Sequence, residues 1–197
     1  DFQRDELVKF CKDADLLVEG GTLGDLTASG DGLTYTGTFT AAADSEVPAV
    51  IRFKEDAAYT DANGNAGEIT ASDTIAVDTL GTTATIDFAA SNLNKSTNTA
   101  NATTVTITFS EPVTDFNSDD DLFVAGGSLD LMTSADGNKT FTGTFTATDD
   151  STTGASIAFK TAGANFGYTD GAGNDGALTA TGAATVDTEA PEVLTIA

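Results

Sequence analysis

The sequence predicts an all-β protein made of tandem sandwich domains. Three observations carry that expectation. Threonine is very abundant, with 35 copies in 197 residues, and its β-branched side chain suits a pleated, half-exposed surface. Apolar residues alternate with threonine over several short stretches, the period-2 signature of a strand with one buried face. Finally, the chain repeats itself at about one domain length.

The repeat is plain in the residues. GGTLGDLTASGDGLTYTGTFTAAADS at 20–45 returns as GGSLDLMTSADGNKTFTGTFTATDDS at 126–151. IRFK at 51–54 returns as IAFK at 157–160, YTDANGNAG at 59–67 as YTDGAGNDG at 168–176, and VDT at 77–79 as VDT at 186–188. The domain division expected is 1–79, a first copy with a short front; 80–188, a complete second copy; and 189–197, the opening of a third. Phe10 aligns with Phe116, so the counterpart of 80–105 is missing from the first copy, as in a piece of a longer array. The segment DFQRDELVKFCKDAD at 1–15 fits worst, and RDELVKFCKD within it has the propensity for a helical turn or two.

In the second copy the strands are expected near 84–89, 103–110, 121–125, 128–132, 139–148, 155–160 and 183–188. Val105, Ile107 and Phe109 alternate with Thr104, Thr106 and Thr108. GlyGly at 126–127 separates the third strand from the fourth, and AspGly at 136–137 separates the fourth from the fifth. Phe141 and Phe145 then alternate with Thr140, Thr142, Thr144 and Thr146. About seven antiparallel strands in some 105 residues match an immunoglobulin-like β-sandwich. One cysteine, Cys11, allows no intrachain disulfide and has no assigned role. The 12 Phe read as core.

The charge narrows function. With 31 Asp+Glu against 8 Lys+Arg the net charge is −23. Nucleic acid and anionic membrane surfaces would be repelled. No run approaches the roughly 18 apolar residues of a membrane span. The absence of His excludes Ser-His-Asp and Cys-His catalysis and His-ligated metals. Paired carboxylates could serve a glycosidase, but there is no Trp platform for a sugar, and no enzyme is expected. Thr-x-Thr runs at 34–40 and 140–146 read as outward strand faces. GAGNDGAL at 171–178 is a single, imperfect match to a calcium-binding glycine-rich nonapeptide and is rejected. Asn101-Ala102-Thr103 and Asn138-Lys139-Thr140 fit the glycosylation sequon, a common chance tripeptide in a Thr-rich chain.

Immunoglobulin strand order would place the acids at domain ends. One end of the second copy would carry Glu111, Asp115 and Asp119, then Asp136, then Asp170 with Asn174. Its other end would carry Asp149, Asp150 and Asp187. The first copy would carry Asp31, Asp61, Asn63 and Asn65 at one end and Asp44 and Asp78 at the other. Carboxylates brought together need a cation, and Ca2+ takes 6–8 oxygens in irregular geometry. Calcium between domains is the resulting expectation. Turn formation by the YTDxxGN segments and general solubility or high-salt adaptation are the competing readings, and Asp149-Asp150 and Asp119-Asp120-Asp121 could equally be solvated loops.

GGTLGDLTASGDGLTYTGTFT, FSEPVTDF, YTDANGNAG with YTDGAGNDG, and VDTEAP together resemble the bacterial immunoglobulin-like repeats of very large, type I-secreted (RTX-type) surface adhesins. The resemblance covers roughly residues 16–197 and is weak over 1–15, where FQRDE stands in place of FSEPV. It implies a non-catalytic extender region of a biofilm-type adhesin at the bacterial cell surface. Its partners would be the neighbouring repeats, with calcium stiffening their junctions. Carried over, it implies Asp78, Glu111, Asp170 and Asn174 at one junction, and Asp61, Asn65 and Asp187 at the neighbouring ones. A carbohydrate- or protein-binding adhesin module and an acidic surface-layer or halophilic structural domain are the alternatives.

Overall fold

The computed structural model describes residues 2–3, 13–30, 34–55, 59–61, 63–67, 71–95, 101–162 and 167–192. The chain forms two compact units, Asp1–Leu80 and Gly81–Ala197.

The first unit contains β1 (Phe2–Gln3), β2 (Leu16–Glu19), β3 (Gly21–Leu23), β4 (Thr27–Ala28), β5 (Thr34–Thr36), β6 (Phe39–Ala41), β7 (Ala49–Phe53) and β8 (Ser72–Ile75). They pair as β1-β5-β4, β2-β7-β8 and β3-β6. Buried Leu16 and Phe53 centre its core, with Val18, Leu23, Leu26, Ile51 and Tyr59 packed against them. The proposed helical turn of RDELVKFCKD lies outside the described residues except for Asp13, which opens a single 3-10 turn, Asp13–Asp15. Phe10, Cys11, Asp31 and Val193–Ala197 also lie outside them.

The second unit is a two-sheet sandwich of immunoglobulin strand order. Its elements are β9 (Ala84–Phe88), β10 (Asn92–Asn94), β11 (Ala102–Phe109), α1 (Ser118–Asp121), β12 (Leu122–Ala125), β13 (Gly127–Leu129), β14 (Thr133–Ser134), β15 (Thr140–Ala147), β16 (Ala155–Phe159) and β17 (Thr181–Asp187). One sheet runs β13-β15-β11-β9, with β14 also on β15; the other runs β10-β17-β16-β12. The alternation read from the sequence is the burial pattern: Val105, Ile107, Phe109, Phe141 and Phe145 all face the core.

Three strand expectations change. The expected strand at 128–132 is two pieces, β13 and β14, because the chain leaves β15 after Leu129 and returns at Thr133. The strand expected from 121 starts at Leu122, since Asn117 caps a helical turn by accepting the Asp119 N–H at 3.0 Å. β10 was not expected: Asn-Leu-Asn is too short and polar to signal a strand, and only pairing with β17 makes it one.

Register defines the two ends of this unit. Ala84 pairs with Phe109 and Thr108 with Thr140, while Leu122 pairs with Phe159. The chain therefore comes in at the end that also carries the loops 110–117 and 135–139 and the described segments 160–162 and 167–180. It leaves at the other end, beside the loop 148–154, where the Thr188 N–H donates to the Ser151 carbonyl at 2.9 Å.

Candidate functional site

The loops at the incoming end of the second unit are held from beneath by an aromatic cluster. Phe109 lies at its centre, with ring centroids 4.7 Å from Tyr168, 5.2 Å from Phe116 and 5.8 Å from Phe141. Edge-to-face packing of this kind fixes ring orientation as well as burial. Three of these rings are next to a loop acid in sequence: Phe109 to Ser110-Glu111, Phe116 to Asp115, Tyr168 to Thr169-Asp170. Packing in the core thus sets where the carboxylates stand.

Glu111 and Asp170 are brought together, with carboxylate oxygens within 4.8 Å of each other. The Thr82 hydroxyl donates to Glu111 Oε1 at 3.1 Å. Asp170 is 2% exposed. Its Oδ1 accepts the N–H groups of Ala172, Gly173 and Asn174 at 2.8, 2.7 and 2.9 Å, and its Oδ2 accepts Asn174 Nδ2 at 2.8 Å. Burial raises the Asp170 pKa, but these hydrogen bonds, led by the Asn174 side chain, outweigh it and leave the carboxyl more acidic than usual.

The first unit repeats the device. Asp61 Oδ1 accepts from Asn63 N and Asn65 N at 2.8 Å each, and Oδ2 accepts from Asn65 Nδ2 at 2.6 Å. The Asn65 side chain first, and its backbone N–H second, lower the Asp61 pKa. YTDxxGN is therefore a self-capped turn closed by its own Asp and Asn. In both units the Tyr lies over the turn's last glycine, and the N–H of Gly67 or Gly176 donates to the Tyr59 or Tyr168 carbonyl.

Within each unit the other expected ligands occupy places of their own. Asp115, at φ 64°, lines a separate pocket with Tyr168, Thr169, Asp175 and Leu178. Asp136 closes its own turn, accepting from Thr140 N at 2.8 Å and Ser134 Oγ at 2.9 Å. Asp44 and Asp78 are both exposed at the outgoing end of the first unit, beside the bond from Thr79 N to the Ser45 carbonyl. Asp44 adopts φ 49°, as does its counterpart Asp150, a left-handed turn position that Asp tolerates. Asp187 is exposed at the outgoing end of the second unit, opposite Asn94. Asp149 and Asp150 there have partners: Asn101 Nδ2 lies 3.0 Å from Asp149 Oδ1, and Lys95 Nζ 3.3 Å from Asp150 Oδ1. The donor set throughout is hard oxygen, the chemistry that suits calcium rather than a transition metal.

Asp121 corrects the solvated-loop reading. It is 1% exposed, and its carboxylate accepts Asn117 N and Gly167 N at 2.6 Å each, tying the two flanking loops together. Burial, then the Asp121 charge, push the Tyr168 phenol up to about 12. The available signal was register: an Asp precedes the strand in both copies, at Asp15 before LLV and at Asp121 before LFV.

The profile of the family described as "Bacterial Ig-like domain" matches residues 1–77 and again 78–187. The chain belongs to the bacterial Ig-like domain family. No curated protein matches it. Among solved structures, that of Yersinia pseudotuberculosis InvD is similar at 19% identity and a TM-score of 0.34, over 93% of this chain. The chain spans about half, 47%, of that structure's length. No described helix is long and apolar enough to cross a membrane.

Proposed function

We propose that this chain is a structural, non-catalytic spacer segment of a bacterial surface adhesin of the RTX type, stiffened by calcium bound at its domain ends. The observation that supports it best is the Glu111–Asp170 pair: two carboxylates within 4.8 Å at the end where the chain comes into a domain, where a cation would meet two anionic oxygen ligands together. The proposed ligands there are Glu111 and Asp170, with Asp78, which precedes Gly81 by three residues in the chain. Asp61 and Asn65 would serve the corresponding end of the first unit and Asp187 the outgoing end of the second. The mechanism is mechanical: neutralised acids let the ends approach, and bound calcium limits the angles the linker can sample. Tandem copies of one domain with the same turn at the same end suit a repeated spacer.

Calorimetry and X-ray scattering in calcium and in chelator, at equal ionic strength, test the proposal. A ligand that binds only the folded state at 100 times its Kd adds about 2.7 kcal/mol. Calcium should therefore raise the melting temperature and narrow the scattering distribution, and Glu111→Ala should weaken both effects while each domain stays folded. An equal response to sodium would leave the acids as high-salt adaptation. No response to either would end the calcium proposal.

A further inference from the structure

The two YTDxxGN turns differ at a position with chemical consequences. The first unit reads Asp61-Ala62-Asn63-Gly64-Asn65, and the second reads Asp170-Gly171-Ala172-Gly173-Asn174. Asn63-Gly64 is the one Asn-Gly step in the 197 residues. Asn63 is exposed. Asp61 Oδ1 holds its backbone N–H at 2.8 Å, but among the described residues its side-chain amide has no hydrogen-bond partner. Other asparagines have theirs engaged. The amides of Asn65 and Asn174 donate to the Asp61 and Asp170 carboxylates at 2.6 and 2.8 Å, and that of Asn101 donates to Asp149 at 3.0 Å.

Gly64 completes the arrangement. It adopts φ 89°, a left-handed conformation that glycine takes without strain. A Cβ built there would meet nothing within 4 Å, so the space around its backbone nitrogen is open. Its N–H donates to the Asp61 carbonyl at 3.2 Å, the long end of the hydrogen-bond range. An unengaged side-chain amide therefore stands next to an unhindered, loosely held backbone nitrogen.

We propose that Asn63 is a site of spontaneous deamidation, which alters the turn of the first unit with age and spares that of the second. The Gly64 nitrogen attacks Asn63 Cγ and loses its proton, and ammonia leaves, closing a five-membered succinimide. Water then opens the ring. Opening at the side-chain carbonyl yields aspartate, and opening at the backbone carbonyl yields isoaspartate. The reaction consumes only water, and each conversion adds one negative charge. Isoaspartate also inserts a methylene into the main chain between positions 63 and 64. Asp61 Oδ1 spans that point, accepting the N–H of Asn63 on one side and of Asn65 on the other at 2.8 Å each. The lengthened chain cannot keep both bonds, so the turn opens. Ala172 has no amide to lose, which leaves the Asp170 turn as it is. The proposal does not depend on calcium.

Peptide mapping by mass spectrometry tests it, on the full chain incubated in chelator at mildly alkaline pH. Asn63 should gain the mass of an amide-to-acid exchange, with both isomers resolved by chromatography. The gain should be at least about tenfold faster than at Asn65 or Asn174, whose side chains must first leave a hydrogen bond to a charged group. In the aged chain the Asn65 amide should lose protection from hydrogen exchange while the Asn174 amide keeps its own. Asn63→Ala gives the first turn the residue that the second carries, and should stay unchanged in mass and protection. An intact Asn63, once an unfolded peptide of residues 59–67 has converted in the same buffer, overturns the proposal, as does an equal rate at Asn174. Conversion that leaves the Asn65 amide protected overturns the opening of the turn. Such failures leave the calcium proposal standing, and a missing calcium response leaves this one standing.

Discussion

Asp136 illustrates how single residues in these loops are committed. The Thr140 backbone N–H, then the Thr140 and Ser134 side chains, lower its pKa from 3.8 to about 2. A depressed carboxyl contributes stability above its unfolded pKa and loses it as pH falls through the folded value. The contribution of Asp136 is therefore complete above about pH 4 and disappears between about 4 and 2. Urea unfolding should show Asp136→Asn less stable than the parent at pH 5, with the difference closing by pH 2; a difference that stays constant with pH would contradict the assignment. Asp61 and Asp170 share the direction of shift and its cause, so acid should loosen these turns as well. The acids were legible in the sequence as loop residues in register. What each accepts was not, because Asp44, Asp121 and Asp170 read alike in composition yet serve as a left-handed turn residue, a buried brace and a self-capped turn.

At the scale of elements, the YTDxxGN turn depends on a close approach that only glycine permits. A Cβ on Gly176 would lie 1.9 Å from the Tyr168 ring, and one on Gly67 would lie 1.7 Å from the Tyr59 ring. Gly176→Ala must displace a ring that packs on Phe109 and Phe159. The expected cost is roughly 1–3 kcal/mol, measured as a lower denaturation midpoint with an unchanged m-value. Long strands such as β11 and β15 were readable from their alternation because one face is buried and one is wet. The short ones were not. β10 and β14 contain two or three residues each and exist only because β17 and β15 offer partners.

For the whole molecule, the two units differ in how much core they close. The second buries Phe109, Phe145, Ile107, Ile157 and Val105 almost completely, whereas the first centres on Leu16 and Phe53 among the described residues. Hydrogen exchange on the intact chain should show the amides of β2 and β7 opening at lower free energy than those of β11 and β15, as two separate cooperative units. Equal protection in both would mean that they unfold as one. The charge of −23 acts at this scale too: self-repulsion among acids opposes compaction, and salt screens it.

The sequence by itself determined the all-β class, the repeated domain, the alternating core faces and the placing of acids in loops. Period-2 burial and a repeat of domain length are local, one-dimensional signals, so they survive without coordinates. Only the tertiary structure decided that Asp121 is buried, that Glu111 meets Asp170, that Thr79 and Thr188 lock the outgoing chain, and that β10 pairs with β17 in parallel. Those facts depend on residues 34 to 94 positions apart meeting in the folded chain, a pairing that no stretch of sequence displays.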